Sequence, residues 1–321
     1  MTAAGVVAGM PFLAAVLLAG AGPGLARWLP PATAVRVLTV LSLVTATACG
    51  FVLAATAFRT LAQLPVLAGL GHWSPAVLRQ GEPLPVPAGA AVAVIVLVLL
   101  GESVRRAVTQ GRQLADAELT CRRVGPGVDG LVVVDDEQPD AFTLAGLSGR
   151  IVVTTAMLKA LPPPERRALL AHEASHLRHR HHAYNQLTDL AAAANPLLRS
   201  TARAVRLAVE RWADEDAATD LADRATTARA LARAGLTRAT AQRRARPAAR
   251  TITLTAAVGD NVPERTRALL AAPPRPRRTA TAVLLTAALA VAASAVATGH
   301  DVERHFEHAH AAYTPPPAPA R

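Results

Sequence analysis

Aromatic residues are scarce in this chain: Phe, Trp and Tyr make up 3% of 321 residues, although 51% are hydrophobic. Cysteine is nearly missing too. Cys49 falls in a long apolar run and Cys121 in a charged stretch, which excludes a disulfide framework. No internal repeat is visible. The formal net charge of +11 invites a nucleic-acid reading. However, the richest arginine stretch, 224–250, has no aromatic residue interleaved and so offers no stacking platform. Direct nucleic-acid binding is therefore not expected. That stretch reads first as a solvated helix and loop beside a membrane, and second as a docking surface for an acidic or DNA-associated partner. The opening "MTAAG" lacks the positive charge of a cleaved leader, so the apolar run behind it is expected to stay as an anchor.

Charge is absent from four apolar runs, 3–22, 37–57, 86–100 and 279–299. Three of them reach the ~20 residues that cross a bilayer as a helix, and the third in order does so if extended to about 102. The expected organisation is a membrane region over 1–102, with helices at about 3–22, 37–57 and 86–102. A domain over 103–278, a fourth helix at 279–299 and a His- and Pro-rich tail over 300–321 follow. Arginines set the orientation. Arg27 and Arg36 flank the first loop, Arg105, Arg106 and Arg112 follow the third helix, and Arg275, Arg277 and Arg278 precede the fourth. The second loop holds only Arg59, Arg79 and Glu82 as charges. These counts place 103–278, including Gly259, in the cytoplasm, and the N-terminus and the tail with Ala311 outside. Membrane lipids are thus an expected partner.

Within 103–278, the β-branched runs 131–136, 141–146 and 149–157 are separated by Gly, Pro and Asp and read as strands, the last two forming a hairpin. Next comes "LPPPERRALLAHEASHLRHRHH", where prolines and Glu165 open a helix. It carries His172-Glu173-Ala174-Ser175-His176. By chance an H-E-x-x-H arises in roughly one or two chains per hundred of this length, so the pentapeptide alone decides nothing. On a helix His172 and His176 stand one turn apart and can reach one metal ion. Glu173 lies about 60–100° around from them, poorly placed as a ligand but well placed to take a proton from a water at the metal.

Catalytic zinc needs a third protein ligand. A helix expected at about 196–218, opened by Asn195-Pro196, ends in "VERWADEDAATD". Glu210 and Asp214 share a face there, giving a ligand and an acceptor for a ligating imidazole. One Zn2+ per chain is the expected cofactor. The bland alternative is a solvated acidic face.

The stretch "AFTLAGLSGRIVVTTAMLKALPPPERRALLAHEASHLRHRHH", followed by "VERWADEDAA", resembles the bacterial membrane metallopeptidases of the BlaR/MecR type, and more loosely the HtpX/Ste24 membrane proteases. The resemblance is strongest over 131–218. It implies a mainly α membrane protein with an α+β zincin-like (gluzincin) domain and a small antiparallel sheet, placed in the bacterial inner membrane. It also implies that His172, His176 and Glu210 hold zinc, that Glu173 is catalytic, and that Asp214 is the acidic residue after the third ligand. The protein substrate implied is a cytoplasmic transcriptional repressor. No Ser-x-x-Lys motif occurs and only 300–321 follow the last apolar run, so β-lactam sensing does not carry over. Gluzincin-type sites align an extended substrate along a strand edge, which points to Phe142, Leu144 and Ala145 as substrate-binding positions. Two other functions compete: quality control of membrane proteins, and a non-catalytic receptor or scaffold with structural zinc, for which Glu173 would have no use.

His179, His181 and His182 extend the histidine cluster and could assist substrate or metal, or make polar contacts near the membrane. His300, His305, His308 and His310 suggest a disordered tail, or else a second metal site.

Overall fold

The computed structural model describes residues 3–79, 84–146, 149–245 and 261–313. The "LS" of the expected hairpin turn, all of 246–260 with Gly259, and the Pro-rich end of the tail lie outside them.

Four helices are long and apolar enough to cross a membrane: α1 (Ala3–Trp28), α2 (Pro31–Leu61), α5 (Val86–Val124) and α12 (Arg278–Ala311). Prolines at the first positions of α2 and α5 give up a backbone N–H that a helix start leaves unpaired anyway. The most enclosed of the four is α2, packed by α1, α5 and α12. The outer helices point large apolar side chains outward, among them Leu13 and Leu17, Leu97 and Val98, and Val283 and Leu289. Apolar surface on this scale suits lipid and not water. Small residues allow the closest approaches. A methyl group on Gly22 would lie 2.6 Å from Thr201 Oγ1, and one on Gly89 would lie 2.3 Å from Thr60.

Two boundaries differ from the sequence reading. Beyond residue 102, α5 continues for a further 22 residues as a charged helix, supported by the i,i+4 pair of Glu118 with Arg122. Residues 300–311 extend α12 and do not form a disordered tail. Packing explains this: Phe306 stacks on Phe58 and meets Trp73 edge-on, while Ala309 packs with Ala62 and Leu78. Two short helices of the second loop, α3 (Pro65–Gly71) and α4 (Pro75–Arg79), lie at this end of the bundle, where Ser74 N–H donates to Ala309 O.

The sheet is mixed. β3 (Arg150–Thr154) is central, with β2 (Ala141–Leu144) antiparallel on one side and β1 (Leu131–Val134) parallel on the other. The expected hairpin partners pair, but residues 135–140 arch over the end of β3, pinned by Thr155 to Asp135 and Asp136, and this places β1 on the far flank. β3 stops before the run of apparent strand residues does. Thr154 accepts from Met157 N–H and caps α6 (Thr155–Ala160).

Five helices complete the segment before α12: α7 (Pro163–Arg178), α8 (His181–Ala194), α9 (Arg199–Leu221), α10 (Arg224–Ala245) and α11 (Val262–Leu270). A 3₁₀ turn, Pro196–Leu198, joins α8 to α9, with Asn195 capping Leu197 N–H as its sequence suggests. This segment does not stand apart from the membrane helices. The tip of the α8–α9 hairpin bonds directly to α1, Ser200 Oγ donating to Ala19 O and Thr201 Oγ1 to Leu18 O. Asp189 of α8 is paired with both Arg106 of α5 and Arg206 of α9. Three of the six arginines of α10 are internal ties: Arg233 pairs with Glu165, Arg238 with Asp140, and Arg224 with Glu215.

Candidate active site

The site is the contact between α7 and α9. Small residues (Ala202, Ala204, Ala208, Ala213 and Ala217) let α9 sit deep in the core, while Leu169 anchors α7 on the sheet, packing with Ala141, Val153 and Met157. One turn apart on α7, His172 and His176 bring their Nε2 atoms to 3.1 Å. Glu210 of α9 faces them, with Oε2 3.6 Å from His172 Nε2 and Oε1 3.7 Å from His176 Nε2. Among the described residues this is the group of three whose donor atoms could share a metal ion. The histidines of 300–310 form no such group.

A tetrahedral zinc ion with bonds near 2.0–2.1 Å sets its donors roughly 3.3 Å apart, and the observed spacings of 3.1–3.7 Å bracket that value. The convergence of two imidazole Nε2 atoms and the Glu210 carboxylate on one point also fits a cation. Zinc suits two imidazoles and one carboxylate with a position left open.

The surroundings fix each ligand. His172 Nδ1 lies 3.0 Å from Asp214 Oδ1, the orienting contact a metal-bound imidazole ordinarily makes. Arg265 of α11 donates to both Asp214 oxygens at 2.8 and 2.7 Å, and its Nη1 lies 2.9 Å from Glu210 Oε2. Burial would raise both carboxyl pKa values, but the guanidinium outweighs it and holds them below the usual range. Burial also pulls the His172 pKa down, yet Asp214 and Glu210 hold it up at about 9. Because a ligating imidazole must be neutral, taking up a cation here releases a proton.

Glu173 is buried beside the two histidines and does not belong to the donor group. Its Oε2 accepts from Thr143 Oγ1 at 2.8 Å, and the same hydroxyl lies 3.2 Å from Glu173 O. Thr143 is on β2, so the edge strand borders the site. Thr154 N–H donates to Asp140 O, and antiparallel pairing alternates; Phe142 and Leu144 therefore turn their backbone groups to β3, and Thr143 turns its own to the unpaired edge. Phe142 and Leu144 thus cannot offer a substrate their main chain, as the sequence reading had it. Ala145 follows the end of the strand.

The histidines after His176 leave its helix. α7 ends at Arg178 with His179 as its C-cap, Arg180 takes a left-handed conformation, and His181 starts α8. His179 turns to Asp216 at 2.9 Å and stacks on Trp212. His181 comes back to His176, their Nδ1 atoms 3.0 Å apart. Burial lowers the His181 pKa to about 3, so its imidazole is neutral.

The structure thus brings together His172, Glu173, His176, Glu210 and Asp214. It adds Thr143 and Arg265, whose roles the sequence does not fix, and it puts His181, expected only as one of three histidines that could assist the site, against His176. Arg265 follows Asp214 by 51 residues, with no motif to link them.

No curated protein and no solved structure matches the chain. Residues 122–274, just under half of it, match the family model described as Peptidase family M48. That span holds the sheet, both site helices and α11; with four helices long enough to cross a membrane, the match supports a membrane metallopeptidase.

Proposed function

We propose that the protein is an integral-membrane zinc endopeptidase that hydrolyses peptide bonds of a cytoplasmic protein. The observation that carries this reading is the pairing of a zinc-spaced donor set with a separate buried carboxylate. His172, His176 and Glu210 would hold the ion, and Glu173 stands beside them without ligating. A zinc ion held there would supply Lewis acidity, bringing a water within reach of a carboxylate base at neutral pH. The Glu173 carboxylate takes the proton of the attacking water and later returns it to the leaving amine. Thr143, donating to Glu173 Oε2, fixes the orientation of that base. Asp214, itself held by Arg265, keeps the His172 ring turned with Nε2 inward. The free edge at Thr143 would pair with the main chain of an extended substrate, which favours flexible segments over compact domains.

A transcriptional repressor is the substrate we favour, on the resemblance of the motif stretch to the BlaR/MecR-type enzymes. Quality control of membrane proteins is the second reading. It draws support from the nearness of the site to the bundle: Arg211, next to Glu210, donates to Ala26 O at the end of α1. The orientation we propose puts the site at the cytoplasmic face. Comparative proteomics of parental and Glu173→Gln cells tests these readings. One stabilised regulator supports the first, and many stabilised membrane proteins support the second. No stabilised protein contradicts both and favours a non-catalytic receptor or scaffold.

A further inference from the structure

The second zinc-binding imidazole has an unusual neighbour. His172 is oriented by a carboxylate, whereas His176 Nδ1 meets another imidazole, that of His181, at 3.0 Å. This contact depends on the break between α7 and α8. On a continuous helix, residues five apart point about 140° away from each other and could not touch. The left-handed Arg180 ends α7 and returns His181 to the face it would have left.

We propose that His181 is a positioning residue for His176, accepting its Nδ1–H and so fixing the tautomer and ring direction that leave Nε2 free to hold the metal. The inference rests on the zinc reading above. If Nε2 of His176 ligates, the neutral ring must carry its proton on Nδ1, and the nearest acceptor is His181 Nδ1. The polarity then runs one way only. His181 keeps its own proton on Nε2, which is buried and has no protein partner. An unpaired buried donor is costly, and packing alone would favour an apolar side chain here. The residue is 1% exposed and its ring packs against Trp212 at 4.7 Å and His179 at 5.6 Å, so its direction is set before any metal arrives. The two ligands thereby differ: one is backed by an ionised carboxylate, the other by a neutral ring that adds no negative charge.

Two variants of the full-length protein test this. His181→Phe keeps a ring against Trp212 but has no acceptor, and His181→Asn can place Oδ1 where Nδ1 was. Zinc affinity is measured by chelator competition, with thermal melting as the check on folding and the visible spectrum of the cobalt-loaded protein as the view of the ligand field. The Phe variant should bind zinc roughly 10–100-fold more weakly and shift the cobalt spectrum. The Asn variant should restore most of the affinity and the parental spectrum. Parental affinity in a folded Phe variant overturns the inference alone, as does an Asn variant as weak as Phe. A parental protein that holds no zinc overturns the metal reading and this inference with it.

Discussion

Arg265 and Asp214 are joined by two hydrogen bonds, 2.8 Å from Nε and 2.7 Å from Nη2, and both side chains are almost wholly enclosed. The same guanidinium reaches Glu210 Oε2 at 2.9 Å. One cation thus balances two buried carboxylates and aims one of them at His172. Removing one partner of such a buried arrangement strands charge in a poorly solvated place, at about 3–5 kcal/mol. Arg265→Leu should therefore lower the melting temperature of the detergent-purified protein sharply. Arg265→Lys, which keeps the charge and loses the fork, should fall between. A Leu variant that melts with the parent would show that the pair contributes nothing.

Thr143→Val should separate catalysis from metal binding. The valine fills the same space but cannot donate to Glu173 Oε2. A hydrogen bond to a charged group is worth about 1.5–3 kcal/mol, so cleavage should drop roughly 10- to 100-fold with zinc content unchanged. Undiminished cleavage would remove Thr143 from the account.

Backbone direction on β2 gives a third test. Thr143 alone within the strand's last three residues faces the unpaired edge, so Thr143→Pro should lose more cleavage than Thr143→Val while still folding. Phe142→Pro and Leu144→Pro each remove a bond to β3 and should instead lower the melting temperature. If Thr143→Pro cleaves as fast as Thr143→Val, the edge does not bind substrate.

Membrane orientation is open to cysteine mapping, because native Cys49 and Cys121 are buried and give little background. Leu236→Cys is exposed on α10 and should react with reagents only from the cytoplasmic side, and Ala311→Cys only from outside. Reaction of both from one side would remove α12 as a membrane crossing.

Much of this was legible in the sequence because it rests on local spacing. The four apolar runs, the helix carrying His172 and His176, and the i,i+4 relation of Glu210 to Asp214 are all set within a few turns. What escaped depends on contacts between distant segments. The parallel placement of β1 follows from how 135–140 crosses β3, and the helical course of 300–311 from Phe306 meeting Phe58 and Trp73. Arg265 and Thr143 reach the site from 51 residues after Asp214 and 30 before Glu173, and no local spacing ties either of them to the histidines. His181 was read as a continuation of the α7 cluster, because nothing in "HLRHRHH" signals the left-handed turn at Arg180.

The most direct test is metal content measured beside hydrolysis in three purified proteins: parent, His176→Ala and Glu173→Gln. The parent should hold about one zinc ion per chain and cleave. His176→Ala should lose most of the metal, and Glu173→Gln should keep it while losing hydrolysis. Equal zinc loss in the two variants, or hydrolysis that survives Glu173→Gln, would contradict the division of roles between ligands and base.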